Sequence, residues 1–305
     1  MQGKVFPTRD GDQLVYTFAS GSKPDATIIF LNGSFFNHHQ WDLLFSRLSR
    51  KAREQGKNFD YLFIDYRGFG NVAPLSHPFT FDAIQEDVLD LLDTEHVGGD
   101  VRIVGSSLGS LVGLSLLDRE PSKISSLFAY GFVPPAMPVI QHVREVFTRV
   151  KAQLATFLSS MPPARMDEAT ITPFAKAMWD TFVLRYSRTV AAIKARGYND
   201  AYATYILKYM KGTPATTIAS FLDFFTSESI VEMIGKARFS PSLFKKVTVF
   251  HGTDDLIAPF PDVKAFCDAV QVHQFLALQG KGHTDIILDG SLCDAIAATV
   301  LADRP

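Results

Sequence analysis

The 305-residue chain predicts an α/β fold: a mostly parallel, doubly wound sheet with an all-helical block inserted into it. Three observations predict it. Short, nearly continuous apolar runs, such as Ala26–Leu31, Tyr61–Asp65 and Val101–Val104, read as strands buried on both faces. Helix-period segments alternate with them, which is the signature of a parallel sheet covered by helices. The alternation stops after Tyr130 and resumes at Val247, and helical patterns without a convincing strand fill the interval. Residues 1–133 and 241–305 are therefore expected to form the core, and residues 134–240 a helical cap.

Taken in order, Val5 to Phe18 holds two apolar runs broken by Arg9-Asp-Gly-Asp12, a turn signal, and reads as an antiparallel pair. Ala26–Leu31 is a strand ended by Asn32-Gly33. Trp41–Ala52 has helical spacing at Leu43, Leu44, Phe45 and Leu48. After the strand Tyr61–Asp65, Thr80 has the character of an N-cap for a helix with the apolar face Phe81, Ile84, Val88, Leu91 and Leu92. A strand at Val101–Val104, a helix beginning beyond Ser107 and a strand at Ile124–Tyr130 complete the first half. In the cap, 143–158, 173–186, 189–196, 200–210 and 216–225 each read as helix, punctuated by Pro162-Pro163, Pro173 and Gly212-Thr-Pro214. The last elements are a strand at Val247–Phe250, a helix at Asp262–Val270, a strand at His273–Leu278 and a helix at Leu292–Leu301.

Composition narrows the partners. Hydrophobic residues make up 47% of the chain, enough for a large core. The net charge of −2 implies no basic face, so nucleic acid is not expected as a partner. Cys267 and Cys293 do not form a disulfide framework and read as small packed residues. The N-terminus lacks an apolar signal segment and no run is long enough to span a membrane, so a cytoplasmic location is expected. The oligomeric state is not legible.

The chemistry centres on Gly105-Ser-Ser107-Leu-Gly109, a G-x-S-x-G match between a strand and a helix. That context makes it a nucleophile elbow, a turn tight enough to require its flanking glycines and to hold Ser107 in strained backbone geometry. A serine hydroxyl needs a base, and the base an orienting acid. His283, in Gly280-Lys-Gly-His283, follows one strand and reads as the base. Asp255, in Gly252-Thr-Asp-Asp255, follows another and reads as the acid, with Asp254 as the neighbouring competitor. All three positions fall at carboxyl ends of strands, where sites lie in open α/β sheets.

These residues resemble the α/β-hydrolase superfamily, in its cap-containing form, over nearly the whole chain. The resemblance rests on Leu31-Asn-Gly-Ser34 with Trp41 downstream, Asp65-Tyr-Arg-Gly-Phe-Gly70, the elbow, Gly252 to Pro259 and Gly282-His283. The Asp-to-Pro spacing in Gly252 to Pro259 matches the family pattern at Asp255. The resemblance implies a serine hydrolase of the esterase or lipase kind, working without cofactor or metal. It implies an oxyanion hole made by the backbone N–H groups of Leu108 and Ser34, with Phe35 as the substitute for Ser34. Asn32 departs from the family, which usually has His there. Haloalkane dehalogenases and epoxide hydrolases carry Asp where Ser107 stands, so they are excluded. Lactonases, C–C hydrolases, acyltransferases and slow-turnover small-molecule receptors keep the serine and remain alternatives to an ester or thioester hydrolase.

Other polar residues read as structural. Ser106 points away in an elbow, His38 and His39 open a helix or line the cleft, and His251 is a core or supporting histidine. Asp65 and Arg67 stabilise a loop. The cap segment is rich in aromatic residues, among them Phe147, Phe174, Trp179, Phe182, Tyr186, Phe221 and Phe225. An aromatic inner face over the elbow predicts an apolar small-molecule substrate.

Overall fold

The computed structural model describes residues 3–21, 23–70, 72–160, 172–173, 176–177, 186–195, 213–228, 230–232 and 239–302. Its centre is an eight-stranded sheet. In chain order the strands are β1 (Lys4–Pro7), β2 (Gln13–Ala19), β3 (Ala26–Leu31), β4 (Phe59–Asp65), β5 (Val101–Ser106), β6 (Ile124–Tyr130), β7 (Val247–Gly252) and β8 (Gln274–Leu278). Their spatial order is β1-β2-β4-β3-β5-β6-β7-β8. β1, β2 and β4 pair antiparallel, and every other neighbouring pair is parallel. Every residue of β3, β4 and β7 is buried, which accounts for their unbroken apolar runs.

Among the described residues, the longer helices are α1 (Asp42–Glu54), α2 (Phe81–Thr94), α3 (Leu108–Arg119), α4 (Met137–Ser160), α5 (Arg188–Ala195), α6 (Ala215–Thr226), α7 (Phe260–Val270) and α8 (Gly290–Leu301). Thr80 is the N-cap of α2, and its hydroxyl accepts from the Ala83 N–H at 3.3 Å. Between β6 and β7 the described residues form no strand, and α4, α5 and α6 lie there. α4 starts six residues before the first position of its helical spacing, two residues after Pro135. The helix expected at 200–210 lies outside the described residues, as do Pro162-Pro163 and most of 173–186.

Two further sequence expectations are met in the core. Cys267 and Cys293 are buried free thiols, and burial pushes each up to about 12. Arg67 is 3% exposed and grips Asp87 through two nitrogens, at 2.7 and 2.6 Å, and Asp10 at 2.6 Å. Breaking one partner of so buried a cluster costs about 3–5 kcal/mol, which explains a charged residue inside the loop after β4.

Candidate active site

The carboxyl ends of β3, β5, β6, β7 and β8 meet at one edge of the sheet, and every predicted site residue lies there. Ser107 sits between β5 and α3 with φ 51° and ψ −113°, a left-handed backbone that a side chain rarely adopts. Its N–H donates to the Tyr130 carbonyl of β6 at 3.0 Å. The flanking glycines are obligatory for steric reasons. A Cβ on Gly105 would lie 2.4 Å from the Gly109 carbonyl oxygen, and one on Gly109 would lie 2.0 Å from that of Leu31. The elbow is therefore wedged against β3 at one point and against its own helix at another.

Leu108 opens α3, so its N–H has no intrahelical acceptor and the helix dipole favours negative charge beside it. The loop after β3 runs alongside. Gln40 holds it by accepting from the Gly33 N–H at 2.9 Å. Asn32 is fully engaged: its amide donates to the Ile64 carbonyl at 2.9 Å and to Asp65 at 3.0 Å, and its oxygen accepts from Trp41 Nε1 at 2.7 Å. Asn at this position thus ties β3 to β4 and to the buried Trp41. Phe35 has φ 68° and packs its ring on Phe147 of α4 and Phe221 of α6, with centroids 5.8 and 4.9 Å apart.

On the other side, Asp255 and His283 are in contact. His283 Nδ1 lies 2.7 Å from Asp255 Oδ2, and the other carboxylate oxygen accepts from the Ile257 and Ala258 N–H groups at 2.9 Å each. A carboxylate can only accept, so Nδ1 carries the proton and Nε2 is left as a base. Burial alone would push the Asp255 carboxyl up. The two imidazoles facing it, His283 first, outweigh burial and hold it below the usual carboxylate range. His251 Nε2 donates to the Ala258 carbonyl at 2.8 Å, and burial lowers its pKa despite Asp255, so it remains a neutral support. Asp254 is the outer residue, ion-paired with Arg188 at 3.4 Å, both half exposed.

Ser107 and His283 line one small cavity together with Ser34, Gln40, Thr284 and Phe36, with room for about one water molecule. His283 Nε2 is buried and has no hydrogen-bond partner among the described residues, so the Ser107–His283 hydrogen bond is not made in this structure. Such contacts are often long before substrate binds. Ser106 also borders this cavity, beneath Gly33. His38 departs from an exposed helix opener: its Nδ1 lies 2.7 Å from Asp65 Oδ2, at the end of β4. His39 is the outward member of the pair, beside Asp42.

Several residues that shape the site carry no local sequence signal. Gly131 has φ +55°, and a Cβ there would meet the His283 ring at 3.2 Å. The Tyr130 hydroxyl donates to the Gly282 carbonyl at 2.6 Å. Asp285 accepts from the Gly282 N–H at 2.7 Å and from the hydroxyl of Ser187, just ahead of α5. Thr284 N–H donates to the Tyr186 carbonyl at 3.4 Å, so the segment 186–187 holds the His283 loop directly. The described cap aromatics Phe147, Phe221 and Phe225 are buried against one another and Phe35 rather than facing the cavity. Phe174, Trp179 and Phe182 lie outside the described residues.

Among the described residues, potential metal ligands converge at Asp10, Asp12 and His77. Arg67 already supplies the cation there, with Nη1 2.6 Å from Asp10 and 3.4 Å from Asp12. No helix among the described residues is long and apolar enough to cross a membrane.

Residues 28–297 match the profile of a family described as the alpha/beta hydrolase family. Solved structures resemble the chain over nearly its whole length. A hydrolase from Pseudomonas aeruginosa shares 17% identity at TM-score 0.68, covering 98% of each chain. An esterase from Exiguobacterium antarcticum shares 12% at TM-score 0.66, and an enol-lactonase from Burkholderia xenovorans shares 18% at TM-score 0.66, each again covering 98% of both chains. At these identities the structural likeness speaks for the fold.

Proposed function

The chain belongs to the alpha/beta hydrolase family, and from that premise we propose that it is a serine hydrolase. Its reaction is cleavage of a carboxylic ester or thioester of a small, largely apolar molecule through an acyl-enzyme. The observation that carries this reading is the 2.7 Å contact between His283 Nδ1 and Asp255 Oδ2, on the same cavity as a serine in strained elbow geometry.

Ser107 Oγ attacks the carbonyl carbon while its proton passes to His283 Nε2. Asp255 keeps the imidazole in the right tautomer and stabilises the imidazolium. The negative charge that develops on the carbonyl oxygen is received by the Ser34 and Leu108 N–H groups, each worth about 3–4 kcal/mol in a water-poor site. His283 then gives its proton to the departing alkoxide or thiolate, leaving the acyl group on Ser107. Water, deprotonated by His283, attacks that ester, and the acid leaves as the serine recovers its proton. Residues 134–240 act as the cap over this edge; among the described residues it meets the core at Phe35, at Gly70 and Phe79, and at the His283 loop.

A fluorophosphonate probe tests the reading. Wild-type protein should label at Ser107 and hydrolyse p-nitrophenyl esters, and Ser107→Ala should do neither. Labelling that survives Ser107→Ala would remove Ser107 from the role of nucleophile.

A further inference from the structure

Besides His283 Nε2, two polar atoms bordering the cavity have no hydrogen-bond partner among the described residues: Ser34 Oγ and Thr284 Oγ1. Their residues are 4% and 5% exposed, and both line the cavity with Ser107. Buried hydroxyls are normally satisfied, and a pair left open on one reaction cavity needs a partner from outside the chain. The Gln40 side-chain oxygen is taken by the Gly33 N–H, and the Asn32 amide is engaged by three groups. The cavity has room for about one water molecule, so the acyl atom that reaches it lies within two bonds of the carbon that Ser107 attacks.

We propose that the Ser34 and Thr284 hydroxyls form a polar subsite that selects acyl groups bearing an oxygen on the carbon next to the scissile carbonyl. A hydroxyl both donates and accepts, so the subsite takes an ether, a hydroxyl or a keto oxygen at that position. Phe36, Ile286 and Ile287 supply the apolar part of the wall, which suits an otherwise apolar acyl group. Sites built around such a hydrogen bond discriminate strongly against the analogue that lacks it. The inference rests on the hydrolase reading of Ser107.

The test compares two p-nitrophenyl esters of the same shape, methoxyacetate and butanoate, in which one oxygen replaces one methylene. The quantity read is the ratio of their kcat/KM values, so the intrinsic reactivity of each ester cancels between variants. Ser34→Ala and Thr284→Val should each lower the methoxyacetate preference about five- to tenfold relative to wild type, the effect of one hydrogen bond. Thr284→Ser keeps the hydroxyl and should keep the ratio, which guards against a folding defect in the valine variant. A ratio within twofold of wild type in both hydroxyl-deleted variants overturns the subsite. Equal losses on the two esters do so as well, because the hydroxyls would then serve the oxyanion instead. Absence of turnover and of fluorophosphonate labelling in wild type sinks the hydrolase reading, and this inference with it.

Discussion

Tyr130 joins the serine to the histidine loop: its carbonyl accepts the Ser107 N–H, and its hydroxyl donates to Gly282, the residue before His283. One residue at the end of β6 thus sets the spacing between nucleophile and base. Burial raises the pKa of its phenol well above the usual value, so it stays protonated and remains a donor. Tyr130→Phe leaves the Gly282 carbonyl without that donor and should cost about 1–3 kcal/mol of stability. If the contact positions His283, kcat should fall about tenfold with KM little changed. Steady-state kinetics and denaturant unfolding check both, and an unchanged kcat would make Tyr130 a packing residue only.

Asp255 and Asp254 are adjacent in sequence and opposite in environment. Asp255→Asn should lower kcat by on the order of 10³- to 10⁴-fold, since the amide cannot hold the productive tautomer of His283. Asp254→Asn removes a half-exposed ion pair with Arg188 and should change kcat less than about threefold. Kinetics of the two variants side by side decide the assignment, and the reverse ranking would transfer the role to Asp254.

Ser107 pays for its position in backbone strain. Glycine accepts φ 51° freely, while a non-glycine residue there costs about 1–3 kcal/mol, partly offset by the looser unfolded chain of a glycine variant. Ser107→Gly should therefore raise the unfolding free energy by about 1 kcal/mol while abolishing turnover. Urea midpoints at constant slope measure this; a lower midpoint would mean that the side chain contributes more than the strain removes.

Asp289 supplies an acid-sensitive contribution. It caps α8 by accepting from the Leu292 N–H at 2.9 Å and also meets Lys281 and Ser291. Burial pushes the carboxyl up, but Lys281, Ser291 and the cap N–H outweigh it and bring it down to about 2. A carboxyl lowered by folding stabilises fully above its unfolded value near 4, and the contribution fades as pH falls towards 2. Asp289→Ala should cost about 0.5–2 kcal/mol at pH 7. The gap to wild type should close between about pH 4 and pH 2 in urea titrations at several pH values; a gap independent of pH would contradict the ionised cap.

The parts of this molecule legible in its sequence are those written in local pattern. Ala26–Leu31 and Val247–Phe250 read as buried strands because burial on both faces leaves no alternation to misjudge. Thr80 reads as a cap because its hydroxyl acts on its own helix, at Ala83. The positions of Ser107, Asp255 and His283 at strand ends follow from the same rhythm. Residues that act across the fold were not legible. Nothing near Gln40 points to Gly33, nothing near Ser187 points to Asp285, and His38 meets Asp65 only because β3 and β4 are neighbours. The aromatic richness of the cap was visible, but not that its described rings would pack on Phe35, Phe69, Phe79 and each other.

The two glycines that wedge the elbow separate the post from its occupant. Backbone atoms of Gly109 and Leu31 forbid any change at positions 105 and 109, while residue 107 faces a small cavity and bears the same backbone strain whichever unbranched side chain it carries. A cysteine or an aspartate could be seated there without rebuilding the scaffold. The frame and the reagent are thus separable: position 107 can change its side chain on the same backbone, whereas a side chain at either flank collides with backbone and forfeits the turn that presents any reagent at all.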